Sequence, residues 1–173
     1  MHMNIRRLGY GAAAAVVLAI GVGAYLAMDS ARVPSTAPAS SFVLLDGSTR
    51  TTADFKGRVT LVNFWATTCA VCVAEMPAIR ATWEKYHARG YDTVAVAMQY
   101  DPPSSVVRYT ETRNLPFQVA IDNTGAVARA WGDVRATPTT FVVNKRGEIV
   151  KRYVGEPNFA ELHRLIEQLL IEI

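Results

Sequence analysis

Two hydrophobic patterns alternate along residues 42–173. Short, largely apolar runs are typical of strands covered on both faces, and apolar residues at every third or fourth position are typical of helices. Their alternation predicts an α/β architecture, in which helices pack on the faces of a sheet. The predicted strands are FVLLDG (42–47, as an edge strand), VTLVNFW (59–65), TVAVAM (93–98), FQVAI (117–121), TFVVN (140–144) and EIVKRYV (148–154).

The helical pattern is clearest after the first long strand and at the end of the chain. One helix is predicted from Ala70 to about His87, with Gly90 as its stop, and a shorter one is predicted after Pro103. The residues at 145–147, Lys-Arg-Gly, predict a hairpin between the last two strands. The last helix carries one apolar stripe, formed by Phe159, Leu162, Ile166, Leu169 and Ile173.

A third pattern occupies the N-terminus, where residues 8–28 contain no charged side chain. As a helix they would span about 31 Å, close to the hydrocarbon thickness of a bilayer. Two arginines in residues 1–7 place that end in the cytoplasm and the remainder outside, so 8–28 predicts a transmembrane anchor. A cleaved signal peptide or a buried core helix is the alternative. The small, polar and proline-containing residues 29–41 predict a flexible tether to a domain at 42–173.

Composition excludes two classes of protein. Half of the residues are hydrophobic and only two are cysteines, which is unlike a small domain stapled by disulfides. The net charge of +3 comes largely from the N-terminus, and the rest of the chain is nearly balanced. No clustered basic face is therefore expected, and the sequence gives no support to a nucleic-acid partner.

The two cysteines carry the clearest chemical signal. Cys69 and Cys72 follow a predicted strand and lie where a helix begins, so their Cα atoms can come within disulfide range. The free N–H groups and the positive end of the helix dipole stabilise a thiolate, so the pKa of Cys69 is expected to fall. Cys72 lies deeper in the helix and should be less exposed. This asymmetry suits thiol–disulfide exchange, in which one sulfur attacks and the other resolves the mixed disulfide.

Three other interpretations of the pair are weaker. A structural zinc site needs four ligands, but the chain has no second pair of cysteines and only three histidines. A purely structural disulfide across two residues would remove little chain entropy. A peroxidatic cysteine would follow Thr or Ser by three residues and Pro by seven, where this chain has Ala66 and Val62.

Residues near the cysteines extend the candidate site. Glu75 lies one turn after Cys72, where a desolvated carboxylate could accept the proton of that thiol; a solvated surface glutamate is the alternative. Trp65 is a candidate for packing beside the disulfide and binding substrate, or else a core aromatic. A cis Thr137–Pro138 bond before a strand would expose backbone for pairing with an extended substrate.

These motifs resemble those of the TlpA/ResA-type, membrane-anchored thioredoxin-like oxidoreductases. The resemblance covers roughly residues 42–171 and implies a thioredoxin-like fold, with a central mixed sheet flanked by helices. The matching stretches are FVLLDG (42–47), DFKG (54–57), VTLVNFWATTCAVCVAEMP (59–77) and ATPTTFVVN (136–144) with the hairpin that follows.

The resemblance also implies roles for individual residues. Cys69 resembles the nucleophile, Cys72 the resolving thiol, Glu75 the acid of the CxxCxxE(x)P pattern and Pro138 the cis-proline. Asn63 stands where thioredoxin has a buried aspartate, which strengthens the assignment of proton transfer to Glu75. Such proteins usually read WATWCxPC, so this chain departs from the family at two positions near the cysteines, Thr68 and Val71.

The expected function is reduction of disulfides in exported proteins by a domain tethered to the outer face of a bacterial inner membrane. The resemblance implies a transmembrane electron donor, and clients such as apocytochrome c or copper-site assembly proteins. Neither a metal nor an organic cofactor is expected. Alternatives are a disulfide oxidase or isomerase, a metallochaperone that uses the cysteines as ligands, and a non-catalytic docking module.

Overall fold

The apolar runs of the sequence form the centre of a five-stranded mixed sheet in the computed structural model, which describes residues 35–172. Its order is β5-β4-β3-β6-β7, in which β3, β4 and β5 are parallel, β6 is antiparallel to β3, and β7 is antiparallel to β6. The strands are β1 (Ser41–Val43), β2 (Thr49–Thr51), β3 (Val59–Trp65), β4 (Tyr91–Ala97), β5 (Gln118–Ile121), β6 (Thr139–Val143) and β7 (Ile149–Val154), and the helices are α1 (Ala70–Tyr86), α2 (Pro103–Arg113), α3 (Ala126–Ala130) and α4 (Phe159–Ile171).

Both faces of β3 are covered, as its unbroken apolar run predicts. Alternate side chains of a strand point to opposite faces. One face joins Leu61 and Trp65 to the apolar stripes of the long helices, which include Met76 in α1 and Ile166 in α4. The other face carries an aromatic cluster of Phe42, Phe55, Phe64, Trp131 and Phe141, whose neighbouring ring centroids lie 5.2 to 6.4 Å apart.

The segment predicted as an edge strand, residues 42–47, forms a different arrangement. Only its first residues are extended, in β1, which pairs with β2 as a separate antiparallel ribbon. The next residues attach that ribbon to the central sheet, through an isolated bridge between Leu44 and Ala120 and a bond from the Leu45 N–H to the Val119 carbonyl. The strand ends where a turn begins, in which the Gly47 N–H donates to the Leu44 carbonyl at 3.0 Å and Gly47 has a φ of +82°.

The chain is already part of the fold before residue 42. The sequence predicts a flexible tether over 29–41, but within it residues 36–41 are bonded to the domain. Thr36 forms a bridge with Glu148, and the Ala37 N–H donates to the Gly147 carbonyl at 2.9 Å. These backbone bonds fix the segment whatever its composition.

The predicted cytoplasmic N-terminus (1–7) and transmembrane anchor (8–28) lie outside the described residues. Between residues 35 and 172, no helix is both long and apolar enough to cross a membrane. The anchor therefore remains a prediction.

The two ends of the sheet have different roles. The carboxyl end of β3 leads through residues 66–68 into α1, and β6 starts beside it because Phe64 pairs with Thr139. This end, here called the cysteine end, therefore brings together the loop before α1 and the loop before β6. The opposite end carries the β6–β7 hairpin at 144–148.

Candidate active site

Cys69 and Cys72 form a disulfide at the start of α1, with their Cα atoms 5.2 Å apart. Cys69 is the N-cap residue and is partly exposed, whereas Cys72 in the first turn is fully buried. This is the asymmetry that the sequence predicts. Only the outer sulfur is therefore accessible to another protein.

The helix terminus surrounds the outer sulfur with positive potential. The Cys72 N–H donates to Cys69 Sγ at 3.2 Å, and the first turn contains no acidic residue. The dipole of a 17-residue helix therefore acts on Cys69 without a compensating carboxylate. In the reduced protein this arrangement favours the thiolate over the thiol.

The loop before β6 lies directly against this sulfur. The Thr137–Pro138 peptide bond is cis, as the family resemblance implies, and the Thr137 carbonyl oxygen lies 3.6 Å from Cys69 Sγ. Pro138 is buried and its carbonyl accepts from the Gly155 N–H at 2.8 Å, while Thr137 is partly exposed. An extended peptide paired with Thr137 would therefore run beside the disulfide.

Glu75 is fully buried beneath the cysteines, so the alternative of a solvated surface glutamate is wrong for this position. Asn63 Nδ2 donates to Glu75 Oε1 at 3.0 Å and to Thr140 Oγ1 at 2.9 Å. Among the described residues, Glu75 Oε2 has no hydrogen-bond partner. Loss of solvation raises the pKa of Glu75 to about 7; the Asn63 bond opposes this rise and the negative charge of Glu156 adds to it.

Trp65 is a core residue, and its predicted contact with substrate has to be corrected. Its side chain is fully buried, and its ring centroid lies 5.2 Å from that of Tyr109. The reason is its position on β3, which points it to the same covered face as Leu61 and Cys72. Trp65 therefore supports the inner cysteine from within.

Exposed apolar side chains border the disulfide instead. Val71, between the cysteines, is 47 % exposed, and Tyr100, whose hydroxyl lies 3.2 Å from Thr137 Oγ1, is 55 % exposed. Val154 pairs with Thr139 across the β6–β7 ladder and is also exposed. All three lie at the cysteine end of the sheet, and together they are here called the apolar rim.

The turn after β4 contributes a residue that the sequence reasoning missed. Asp101 is buried, and its carboxylate accepts two hydrogen bonds from Thr67, two residues before Cys69. A signal was available, because Asp101 closely follows a buried strand parallel to the one that leads to Cys69. The carboxyl ends of adjacent parallel strands meet at one edge of a sheet.

Metal chemistry has no visible site in the described part of the chain. Residues 35–172 contain no group of three or more His, Cys, Asp or Glu side chains that could hold a metal ion.

Known proteins with similar sequences and structures agree with this geometry. The sequence model of the redoxin family matches residues 32–166. The chain is 33 % identical over 139 residues to the thiol-disulfide oxidoreductase ResA of Geobacillus kaustophilus, covering 79 % of this chain and 78 % of that protein. It is 30 % identical over 133 residues to ResA of Bacillus thuringiensis subsp. konkukian, covering 76 % of each.

Solved structures of thioredoxin-like proteins are also similar to this chain. A solution structure described as a thioredoxin from Neisseria meningitidis is 43 % identical with a TM-score of 0.74, covering 79 % of this chain and 90 % of that one. A thiol:disulfide interchange protein of the thioredoxin family from Chlorobium tepidum is 29 % identical with a TM-score of 0.72, covering 79 % and 97 %. With its thioredoxin-like fold and its bonded Cys69–Cys72 pair, this chain belongs to the redoxin family and is a thiol-disulfide oxidoreductase related to ResA.

Proposed function

We propose that this oxidoreductase reduces disulfides in exported proteins from the outer face of a bacterial inner membrane. The observation that carries the mechanism is the buried Glu75, which lies one helical turn below Cys72 and has a pKa near the middle of the physiological range. A carboxyl group with such a pKa can both accept and release a proton at neutral pH.

In the first step, the Cys69 thiolate attacks one sulfur of a client disulfide. A bond forms between Cys69 Sγ and that sulfur, the client S–S bond breaks, and the second client sulfur leaves as a thiolate. The helix terminus stabilises the attacking thiolate before the reaction. The apolar rim and the Thr137 backbone would hold the client segment in an extended conformation.

In the second step, Glu75 accepts the proton of the Cys72 thiol, and the Cys72 thiolate attacks Cys69 Sγ. The Cys69–Cys72 bond forms and the first client sulfur leaves as a thiolate, so the client gains two electrons and the protein loses two. Burial would otherwise disfavour a charged Cys72, which is why a nearby proton acceptor matters. Water then protonates the client thiolates.

The location and the partners are inferred from the sequence. Residues 8–28 are the candidate anchor, and an exported domain would meet an oxidising compartment. A reductase there needs a dithiol donor to reduce its disulfide again, and a transmembrane electron carrier is the class of partner that supplies one. Apocytochrome c and copper-site assembly proteins are the clients we propose by family resemblance.

The reduction potential of the Cys69–Cys72 couple tests the direction of electron flow. We would equilibrate the full-length protein in detergent against glutathione or dithiothreitol buffers. A value near or below about −230 mV is expected, since reductants such as thioredoxin lie near −270 mV. A value above about −150 mV would place the protein with disulfide oxidases and contradict the proposal.

A further inference from the structure

The turn after β4 holds the loop that presents Cys69. Asp101 is 2 % exposed, and its Oδ2 accepts from the Thr67 N–H at 2.6 Å while its Oδ1 accepts from the Thr67 hydroxyl at 2.5 Å. Asp101 is itself fixed, because its N–H donates to the Met98 carbonyl at 2.9 Å. Both carboxylate oxygens of Asp101 therefore accept hydrogen bonds from the same loop residue, Thr67.

That loop is short, so a constraint on Thr67 is also a constraint on Cys69. Residues 66–68 connect β3 to α1, and the Cys69 N–H donates back to the Ala66 carbonyl at 3.1 Å. Thr67 lies between these two bonded residues. Buried carboxylates are costly unless they are well bonded, so this one exerts a strong geometric preference on its partner.

The same turn also reaches the second loop of the site. Tyr100, next to Asp101, places its hydroxyl 3.2 Å from Thr137 Oγ1, and the Met98 N–H donates to the Trp65 carbonyl at 3.0 Å. The turn thus contacts the end of β3, the loop before Cys69 and the loop before β6. Through these contacts, the turn can determine the position of Cys69 Sγ relative to the Thr137 carbonyl.

We propose that Asp101 is a positioning residue for thiol–disulfide exchange. Through Thr67 it holds Cys69 at the terminus of α1 and against the Thr137 carbonyl, without touching either sulfur or the client. The inference rests on the nucleophilic role proposed for Cys69. Loss of the Asp101 side chain lets the loop before Cys69 move. A displacement of about 1 Å at a reacting atom can cost about 100-fold in rate.

Three variants test this inference. Asp101→Ala removes both bonds to Thr67, whereas Asp101→Asn removes the charge but can still accept the Thr67 N–H and donate to its hydroxyl. Asp122→Ala is the matched control, because Asp122 is 4 % exposed and also accepts two bonds, from the N–H groups of Val127 at 3.3 Å and Ala128 at 2.8 Å, at the start of α3. The full-length reduced proteins would be compared by the rate and pH profile of Cys69 alkylation and by kcat/KM for insulin reduction.

Asp101→Ala should lower both rates about 10-fold or more, while Asp101→Asn and Asp122→Ala should stay within about 2-fold of the unaltered protein. Equal rates in Asp101→Ala and the unaltered protein, or an equal loss in Asp122→Ala, would overturn the inference.

If Asp101→Ala does not fold, Thr67→Val and Thr67→Ser test the inference instead, because only Thr67→Val deletes the hydroxyl bond to Asp101. Thr67→Val should then be about 3-fold slower than Thr67→Ser, and equal rates overturn the inference. If Cys69 of the unaltered protein is alkylated no faster than Cys72, the proposed function fails instead.

Discussion

At the scale of single residues, the decisive feature is the burial of Glu75. A glutamate three residues after a cysteine lies on the same face of a helix, but this spacing also occurs in exposed helices. The spacing alone therefore does not predict that the carboxyl group is buried. The structure places the carboxyl group out of solvent, and this loss of solvation raises its pKa to about 7 although the amide donor Asn63 opposes the rise. Two consequences can be measured, one in the reaction and one in the stability of the fold.

Glu75→Gln should slow the resolving step. The amide has nearly the same shape but cannot accept the Cys72 proton, and loss of a general base typically costs at least about 100-fold. In stopped-flow reduction of a model disulfide, the mixed disulfide on Cys69 should accumulate. Glu84→Gln, on an exposed turn of the same helix, is the control and should resolve normally. Unchanged resolution in Glu75→Gln would exclude the carboxyl group as the proton acceptor.

Glu75 should also make the fold less stable as the pH rises. Because its folded pKa of about 7 lies above the unfolded value of 4.5, the native state holds a proton that the unfolded state has lost between these pH values. The free energy of unfolding from this group therefore falls from about pH 4.5 to above pH 7, by about 3 kcal/mol in total. Urea melts of the oxidised protein should show this decline, and Glu75→Gln should remove it. A larger decline in the variant than in the unaltered protein would contradict the sign.

At the scale of elements, the first turn of α1 determines the chemistry of Cys69. Its N-cap sulfur accepts the Cys72 N–H, and the intervening residues Ala70 and Val71 carry no charge. The helix dipole therefore acts on this sulfur with no charged side chain in the first turn, and its effect falls off within one turn. A charged side chain introduced into this turn should therefore strengthen or oppose the effect of the helix dipole on Cys69.

Val71 offers a position to test this, because its side chain is 47 % exposed and can be replaced without opening the core. Val71→Lys should lower the apparent pKa of Cys69 alkylation and Val71→Glu should raise it, each by about half a unit at low salt. Both shifts should shrink in 1 M salt, since the Debye length there is about 3 Å. Shifts of the same sign in both variants would point to altered packing rather than to charge.

The sequence predicts most elements of the fold because their burial is strong and regular. The strand at 59–65 and the helix that follows it are confirmed. An unbroken apolar run strongly favours a buried strand, and apolar residues at every third or fourth position strongly favour a helix. Two short elements were missed. β2 reads Thr-Arg-Thr and has no apolar signal, and the five residues of α3 are fewer than two helical turns.

The site is predicted less completely, because chemistry depends on direction and solvation as well as on spacing. Cys69 and Cys72 follow from their spacing at a helix start. By contrast, the spacing left Trp65 as either a substrate-binding residue or a core aromatic, and only the structure shows that its side chain is fully buried. Asp101 was missed because its partner Thr67 lies 34 residues away in the sequence and meets it only through the pairing of β3 and β4.

At the scale of the whole molecule, the proposed export of the domain has a direct test. In intact cells or spheroplasts treated with a membrane-permeant reductant, a membrane-impermeant maleimide should modify Cys69. Cys72 should react more slowly because it is fully buried. A cytoplasmic protein with a reduced cysteine pair serves as the control for leakage. Labelling of Cys69 only after permeabilisation would contradict the proposed location.

The pairing of residues 36 and 37 with the β6–β7 hairpin has a practical consequence. Ser35 accepts from the Ile149 N–H at 2.9 Å, so the described chain starts at the end of the sheet opposite the disulfide. The six steps of β3 from Val59 to Trp65 separate the two ends by about 20 Å. A domain coupled to an electrode or a bead through its first described residues would therefore present its disulfide outward. An assay surface built in this way would keep the reactive sulfur open to proteins in solution.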